Sequence, residues 1–247
     1  MAGSWIWNPR PRPMARLRLV CFPYAGSGPS AYLGWVRHLP PAVELRLVAP
    51  PGRELREDEP HETDLSRYLD GVLAALRDDP FMPVALFGHS LGGLMAYEVA
   101  RRLADTGRPP QHLFVSAKEP AEVPLRYPDL HLRDDAGMIE GLRMLNEGLA
   151  PELENDPLLM ASVLHKLRAD WALMAQVPTG PVPALDLPLT VLWSPDDPTT
   201  EEASLRLWDR RVRGPVRYEA FAGGHQFLNQ QAAAVVGCVC KYLELST

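Results

Sequence analysis

The stretch Val84-Ala-Leu-Phe-Gly88-His89-Ser90-Leu91-Gly92-Gly93 decides the fold, because it has the pattern of an apolar strand, a tight turn and a helix start. A serine at the apex of such a turn takes strained backbone angles, and the flanking glycines avoid collisions with the strand and the helix. The amide of Leu91 falls in the first helical turn, where unpaired N–H groups can stabilise an oxyanion. The pattern therefore predicts a nucleophile elbow that exposes Ser90 to a cleft.

A nucleophilic serine needs a base and a group that orients the base, and candidates for both follow Ser90 in the chain order Ser, Asp, His. Asp196 and Asp197 follow the predicted strand Leu189–Trp193, and functional loops collect at the carboxyl ends of parallel strands. His225 follows the next predicted strand on a glycine turn. It is the histidine that combines a strand end, preceding glycines and the right order, whereas spacing leaves both aspartates open as its partner.

The loop after the first long strand, Phe22–Gly28, is predicted to supply the second oxyanion donor. Glycines in this loop let the backbone approach a substrate closely, and the N–H of Ala25 is placed to face Ser90. Tyr24, in the same loop, is a candidate substrate contact. We therefore expect an oxyanion hole made by the backbone N–H groups of Ala25 and Leu91.

The same loop offers an alternative function. Gly26-Ser-Gly28-Pro-Ser-Ala31 after a strand imitates the dinucleotide-binding fingerprint G-x-G-x-x-A. A nicotinamide oxidoreductase would need an acidic residue at the end of the second strand. Glu44 instead begins that strand, which disfavours this alternative.

Composition indicates one main domain inside a cell. The chain has 247 residues, 46% of them hydrophobic, which is enough to bury a sizeable core. The three cysteines, Cys21, Cys238 and Cys240, lack metal or redox spacing, so we expect reduced, packed thiols and neither a metal nor a cofactor. The net charge of −6 gives no support for nucleic-acid binding, and no apolar run approaches the length of a membrane span. We expect a cytoplasmic monomer.

The rest of the chain alternates strands and helices, which predicts an α/β fold with a mostly parallel sheet covered on both faces. One connection, between the strands ending near Ala117 and beginning at Leu189, is too long for an ordinary crossover. We therefore predict a core made of residues 1–118 and 189–247, with a helical lid inserted at residues 119–188. Two helices are expected in the lid, Asp134–Glu147 and Asp156–Gln176.

The second lid helix carries apolar side chains at helical spacing, among them Met160, Leu164, Trp171 and Met174. One interpretation is packing against the sheet domain. The other is that these adaptable side chains line a channel for an acyl chain. A lid above a cleft would have to do both, so the four residues are candidate substrate contacts.

Taken together, the motifs of this chain resemble those of the type II thioesterases of polyketide and nonribosomal peptide assembly lines. The resemblance runs from Trp5 to the final helix, and its motifs are Phe22-Pro-Tyr-Ala-Gly26, Pro51-Gly-Arg-Glu54, Leu86-Phe-Gly-His-Ser-Leu-Gly-Gly93, Leu167-Arg-Ala-Asp170 and Gly223-Gly-His-Gln-Phe-Leu228. It implies an α/β-hydrolase fold and a triad of Ser90, Asp197 and His225, since the acid of this family directly precedes a proline. Asp196 remains the alternative acid.

The resemblance further implies hydrolysis of stalled acyl groups from the phosphopantetheine thiol of acyl or peptidyl carrier proteins, without metal or cofactor. A carboxylesterase, a lipase or an acyltransferase would use the same triad. A noncatalytic carrier-binding protein would be expected to lack a triad residue, and here all three are present. Carrier proteins in these pathways are typically acidic, so the arginine-rich segment from Arg206 to Arg213 is either a docking patch or an ordinary solvated face.

Overall fold

A single sheet forms the centre of the computed structural model, which describes residues 3–79, 81–145 and 156–244. Its seven strands are β1 Ile6–Trp7, β2 Leu17–Phe22, β3 Val43–Val48, β4 Val84–His89, β5 His112–Ser116, β6 Leu189–Trp193 and β7 Val216–Ala220. They lie in the order β1-β3-β2-β4-β5-β6-β7, and every neighbouring pair from β3 to β7 is parallel. The predicted, mostly parallel sheet is confirmed.

The helices of the described residues lie between and after these strands. They are α1 Leu65–Asp78, α2 Leu91–Asp105, α3 Asp135–Met144, α4 Pro157–Ala175, α5 Glu202–Leu205, α6 Phe227–Gln230 and α7 Ala232–Tyr242. Four further segments are 3₁₀ helices, at Pro29–Arg37, Glu54–Arg56, Leu130–Leu132 and Arg206–Arg210. None of the helices in the described ranges is long and apolar enough to cross a membrane.

Both faces of the sheet are buried, which explains why the central strands have continuous apolar sequences. Side chains alternate between the faces of a strand, so Leu86 of β4 packs in a cluster with α1 and α2. Its neighbours Ala85 and Phe87 pack on the opposite face, with α7 and the 3₁₀ helix Pro29–Arg37. The carboxyl ends of β2, β4, β5, β6 and β7 therefore meet at one edge of a rigid, covered sheet.

The antiparallel strand β1 was not expected. Ile6 pairs with Val48 and Trp7 with Leu47, at the outer edge of β3. The neighbouring Trp5 ring packs edge-on against Tyr68, with ring centroids 5.3 Å apart. A strand of two residues is too short to show the period-2 alternation by which strands are recognised.

The long connection from β5 to β6 contains both expected helices. The cap of α3 is Asp134, whose side chain accepts a hydrogen bond from the N–H of Gly137, and the end predicted at Glu147 lies outside the described residues. Asp156 caps α4 in the same way. Buried side chains of both helices belong to the cluster that covers the α2 face of the sheet. The boundaries of the lid, residues 119–188, stay a prediction.

Candidate active site

Ser90 stands on the sharp turn that the sequence predicts between β4 and α2. Its backbone has φ 52° and ψ −122°, a conformation that is strained for any residue except glycine. A Cβ atom on Gly88 would lie 1.9 Å from the carbonyl oxygen of Gly92, and one on Gly92 would lie 2.2 Å from the carbonyl oxygen of Phe22. The turn therefore requires both glycines, and the Ser90 N–H is held by the Ser116 carbonyl at 2.8 Å.

The structure brings Asp197 to His225. The Oδ2 atom of Asp197 lies 2.7 Å from Nδ1 of His225, and the Asp197 carboxylate is buried. Asp196 is exposed, and its Oδ2 accepts a hydrogen bond of 3.4 Å from the N–H of Gly223. Of the two aspartates that the sequence left open, the one in contact with the histidine is Asp197.

Thr199 contacts both Asp197 and His225, a role that the sequence did not indicate. Its hydroxyl donates to Oδ1 of Asp197 at 2.7 Å and lies 2.9 Å from Nδ1 of His225, and its N–H donates to the same Oδ1 at 2.8 Å. An aspartate that accepts from the N–H two residues later is an Asx turn. Asp197-Pro198-Thr199 carries that turn signal, which is the clue that could have identified Thr199.

These hydrogen bonds decide the charge of Asp197. Its burial opposes ionisation, but the bonds from His225 and Thr199 outweigh burial and hold the pKa of Asp197 below its usual value. The carboxylate is therefore ionised at neutral pH. An ionised acceptor fixes the proton of His225 on Nδ1 and leaves Nε2, on the opposite side of the ring, as the basic nitrogen.

His89 packs behind His225 and is a second contributor that the sequence did not indicate, because the position before the serine is variable in this motif. The two ring centroids are 5.1 Å apart, and Nδ1 of His89 lies 2.9 Å from Oγ of Ser116. Burial, helped by the charge of His225, lowers the pKa of His89 well below its usual value. A neutral ring therefore supports His225 without adding a competing cation.

The two expected oxyanion donors are available. Within the described part of the chain, neither the N–H of Leu91 nor that of Ala25 donates a hydrogen bond. Leu91 begins α2, whose positive dipole end adds to its N–H. Ala25, Ser90 and His225 border the same cavity. The arrangement can hold a negatively charged oxygen beside the serine.

The position of Glu44 excludes the dinucleotide-binding alternative. Glu44 lies at the amino end of β3, where it contacts Arg18 and Arg46 at 3.3 and 2.9 Å. That end of the sheet is opposite the loop Phe22–Gly28, so Glu44 cannot reach a ribose bound there. Among the described residues there is also no cluster of three or more side chains able to hold a metal ion.

Comparison with known proteins agrees with this geometry. Residues 17–242 match the family model described as the thioesterase domain. The chain belongs to the thioesterase family. It is 31% identical to the gramicidin S biosynthesis protein GrsT of Aneurinibacillus migulanus over 98% of this chain and 95% of that protein. It is 34% identical to the thioesterase PikA5 of Streptomyces venezuelae over 98% of this chain and 86% of that protein.

A solved structure matches the thioesterase over its full length. The type II thioesterase BorB from the borrelidin biosynthetic cluster superposes with a TM-score of 0.86 at 31% identity, covering 98% of this chain and 99% of that chain. The expected α/β-hydrolase fold and the family resemblance are thereby confirmed.

The cavity of the thioesterase next to Ser90 has a volume of about 260 Å³. Of the expected substrate contacts, Trp171 and Met174 line it, whereas Tyr24, Met160 and Leu164 do not. Helix α4 rises about 1.5 Å per residue, so Met160 and Leu164 lie roughly 16 and 10 Å along the axis from Trp171. The side chain of Leu164 is buried in the core, the half-buried side chain of Met160 packs against it, and the ring of Tyr24 packs edge-on against His89.

The lining is also more polar than an apolar acyl channel would be. The start of the β5–β6 connection contributes Lys118 and Glu119, and the acid loop contributes Thr200 and Glu201. Glu119 is buried, and its Oε1 accepts a hydrogen bond of 3.3 Å from the N–H of Glu201. The cavity of the thioesterase therefore has apolar lining from α4 and from residues 123–125, and polar lining from Lys118, Glu119, Thr200 and Glu201.

The arginine-rich segment is not a uniform docking patch. Arg211 is only 4% exposed and forms an ion pair with Glu122. The guanidinium of Arg206 lies 3.9 Å from the ring centre of Tyr218 and contacts Glu202 at 3.0 Å. Arg210 is exposed, and its part in docking stays a prediction.

Proposed function

We propose that this thioesterase is an editing enzyme, which hydrolyses stalled acyl groups from the phosphopantetheine thiol of carrier proteins. The observation that carries the proposal is the Asp197–His225 contact beside Ser90, in a chain similar over almost its full length to GrsT and PikA5. These relatives are named for gramicidin S biosynthesis and as a thioesterase.

The first half of the proposed reaction transfers the acyl group to the serine. Nε2 of His225 takes the proton from Oγ of Ser90 as that oxygen attacks the thioester carbonyl. The N–H groups of Leu91 and Ala25 hold the resulting oxyanion, and Asp197 stabilises the imidazolium. When the intermediate collapses, the carbon–sulfur bond breaks, and the imidazolium gives its proton to the leaving sulfur.

The second half regenerates the enzyme. His225 takes a proton from a water molecule, and the hydroxide oxygen attacks the acyl-serine ester. The same two N–H groups hold the second oxyanion. Collapse releases the free acid, and His225 returns the proton to Oγ of Ser90.

We further propose that residues 119–188 act as a lid. Support comes from Trp171 and Met174, which reach the cavity from α4 while other side chains of that helix, such as Leu164 and Leu173, pack in the core. The carrier would present its thiol at the open side of the cavity, and the acyl chain would lie against the apolar lining.

Carrier proteins loaded with a series of straight and hydroxylated acyl groups test the proposal. Mass spectrometry after incubation with the enzyme should show free-thiol phosphopantetheine and the matching acid, and Ser90→Ala should give neither. The oxygen ester of the same acyl group should react more slowly. Faster reaction of the ester would identify a carboxylesterase, and an acylated alcohol or amine, formed when either acceptor is added, would identify an acyltransferase.

A further inference from the structure

A buried ion pair outside the triad connects the inserted segment to the core. Arg53, which precedes the 3₁₀ helix Glu54–Arg56, contacts Asp170 of α4 through two parallel bonds. Nη1 lies 3.0 Å from Oδ2 and Nη2 lies 2.9 Å from Oδ1, with the two side chains 4% and 3% exposed. The charge of Asp170 outweighs burial and raises the pKa of Arg53. Neither residue has a role in the reaction described above.

The same pair holds the loop that carries Ala25. Oδ2 of Asp170 also accepts a hydrogen bond of 2.7 Å from the N–H of Gly26, and Nη1 of Arg53 donates to the Ser27 carbonyl at 2.8 Å. A Cβ atom on Gly26 would lie 3.1 Å from Cδ2 of Leu167 on α4. Helix α4 therefore contacts this loop twice at Gly26, by packing of Leu167 and by the hydrogen bond to Asp170.

The turn in this loop is held to α4 on the side that follows Ala25. The Ser27 N–H donates to the Tyr24 carbonyl at 3.0 Å, and Gly26 at the third position has φ +78°, which together define a type II turn. The N–H of Gly26 belongs to the central peptide of this turn, whereas the N–H of Ala25 belongs to the peptide before it. Asp170 and Arg53 bind an N–H and a carbonyl in the two residues that follow Ala25, so loss of these buried, charge-assisted bonds would let the whole turn shift and carry the N–H of Ala25 away from Ser90.

We propose that Asp170 and Arg53 are positioning residues, which hold the N–H of Ala25 in the orientation that stabilises the oxyanion. The inference rests on the proposed function, since it assumes that Ala25 is an oxyanion donor. It also makes α4 part of the catalytic geometry, because a displacement of this helix would move the turn and take the N–H of Ala25 out of the oxyanion hole.

Two variants and one matched control test this inference. Asp170→Asn weakens the pair, and Asp170→Leu combined with Arg53→Met removes both charges, a replacement that buried ion pairs often tolerate without loss of stability. Glu44→Gln is the control, because it neutralises another buried, arginine-paired carboxylate at the opposite end of the sheet. Each protein is assayed with a small acetyl thioester, with a fluorophosphonate that forms a tetrahedral adduct on Ser90, and with a thioether that binds without reacting.

We expect kcat and the labelling rate to fall together, by about tenfold to a hundredfold, in Asp170→Asn and in the double variant, since loss of one oxyanion donor costs about 10²–10³-fold. Thioether affinity should stay within about twofold, and so should every constant of Glu44→Gln. Labelling by the fluorophosphonate needs no carrier protein, so it tests the positioning role separately from the proposed function. If the wild-type enzyme does not hydrolyse acyl-carrier protein but the variants still label more slowly than wild type, the proposed function is rejected and the positioning role is retained.

Other results would overturn the positioning role. A folded double variant that keeps kcat and labelling within twofold of wild type, roughly the scatter of such comparisons, would show that the pair is dispensable. A loss confined to thioether affinity would assign the pair to substrate binding. Failure of both variants to fold would leave the pair a structural role only, and absence of wild-type labelling at Ser90 would remove the oxyanion hole that the pair is proposed to position.

Discussion

The loops that follow β4, β6 and β7 and the inserted helix α4 border the same cavity, yet they are held in different ways. The loops are fixed by directional hydrogen bonds, such as those that join Thr199, Asp197 and His225. Trp171 and Met174 reach the cavity by packing within an apolar cluster. Hydrogen bonds set positions within fractions of an ångström, whereas packing tolerates changes of shape. Substitutions of the hydrogen-bonded residues Asp197, Thr199 and His225 should therefore lower turnover of every substrate, and those of the cavity-lining side chains Trp171 and Met174 should change selectivity.

The largest effect is expected at the nucleophile. Ser90→Ala should lower kcat by roughly 10⁶-fold, because the members of such a triad act as a unit. The melting temperature should change little, since alanine and serine are equally strained at the positive φ of this turn. Turnover of an acyl-carrier protein measures the loss, and mass spectrometry of trapped enzyme locates the adduct. An acyl group found on a residue other than Ser90 would contradict the assignment.

The second effect concerns the acid. Asp197→Asn should lower kcat by roughly 10⁴-fold, because an amide favours the wrong tautomer of His225. Asp196→Asn is the matched control, since Asp196 is the exposed neighbour on the same loop. Its effect should stay below about threefold, as is usual for a surface substitution away from the reacting atoms. Steady-state kinetics of the two variants measures both effects. A larger loss of kcat in Asp196→Asn than in Asp197→Asn would show that Asp196 is the acid.

Thr199 should have a smaller but measurable effect. Thr199→Val preserves shape and the N–H bond to Asp197 but removes the hydroxyl, so kcat should fall by about tenfold, the worth of one hydrogen bond to a charged group. The pKa of Asp197 should rise toward its usual value. Ionised Asp197 contributes stability above its unfolded pKa, and this is lost as the pH falls through the lower folded pKa.

Urea unfolding of Thr199→Val and wild type, compared at neutral pH and below about pH 4, measures that change. The stability difference between the two proteins should be larger at neutral pH and shrink as Asp197 is protonated in both. Thr199→Ser is the matched control, because it keeps the hydroxyl that bonds to Asp197 and removes only the methyl group. An equal fall in kcat for both variants would mean that Thr199 acts through packing.

The parts of the site that were predictable are those with local patterns. The elbow at Ser90 and the strand-end position of His225 follow from short motifs that any tertiary structure must accommodate. Asp197 could not be separated from Asp196, because both follow β6 and the choice depends on which carboxylate turns inward. The turn signal at Asp197-Pro198-Thr199 does not show that the Thr199 hydroxyl also reaches His225, and His89 contacts Ser116 and His225, which are distant in sequence.

The cavity was harder to predict than the triad. Helical spacing on α4 correctly indicated buried side chains, but it does not tell which turn of a long helix faces the serine. Met160 and Leu164 share the apolar face of α4 with Met174, yet Met174 reaches the cavity, Leu164 is buried in the core and Met160 packs half-buried against it. The polar lining was missed because Glu119 and Glu201 meet through a tertiary contact between two loops.

The most selective effect is expected on α4, where a substitution should affect long acyl chains and leave acetyl almost unchanged. Met174→Phe places a stiffer, bulkier side chain against a cavity of about 260 Å³. It should lower kcat/KM for hexanoyl-carrier protein by about tenfold and for acetyl-carrier protein by less than about twofold, because steric exclusion falls on the distal part of the chain. Met160→Phe is the matched control, since it makes the same change on the same helix outside the cavity. Equal losses for both acyl groups in Met174→Phe would indicate a packing defect, and a selective loss in Met160→Phe would place the acyl chain along the first turns of α4.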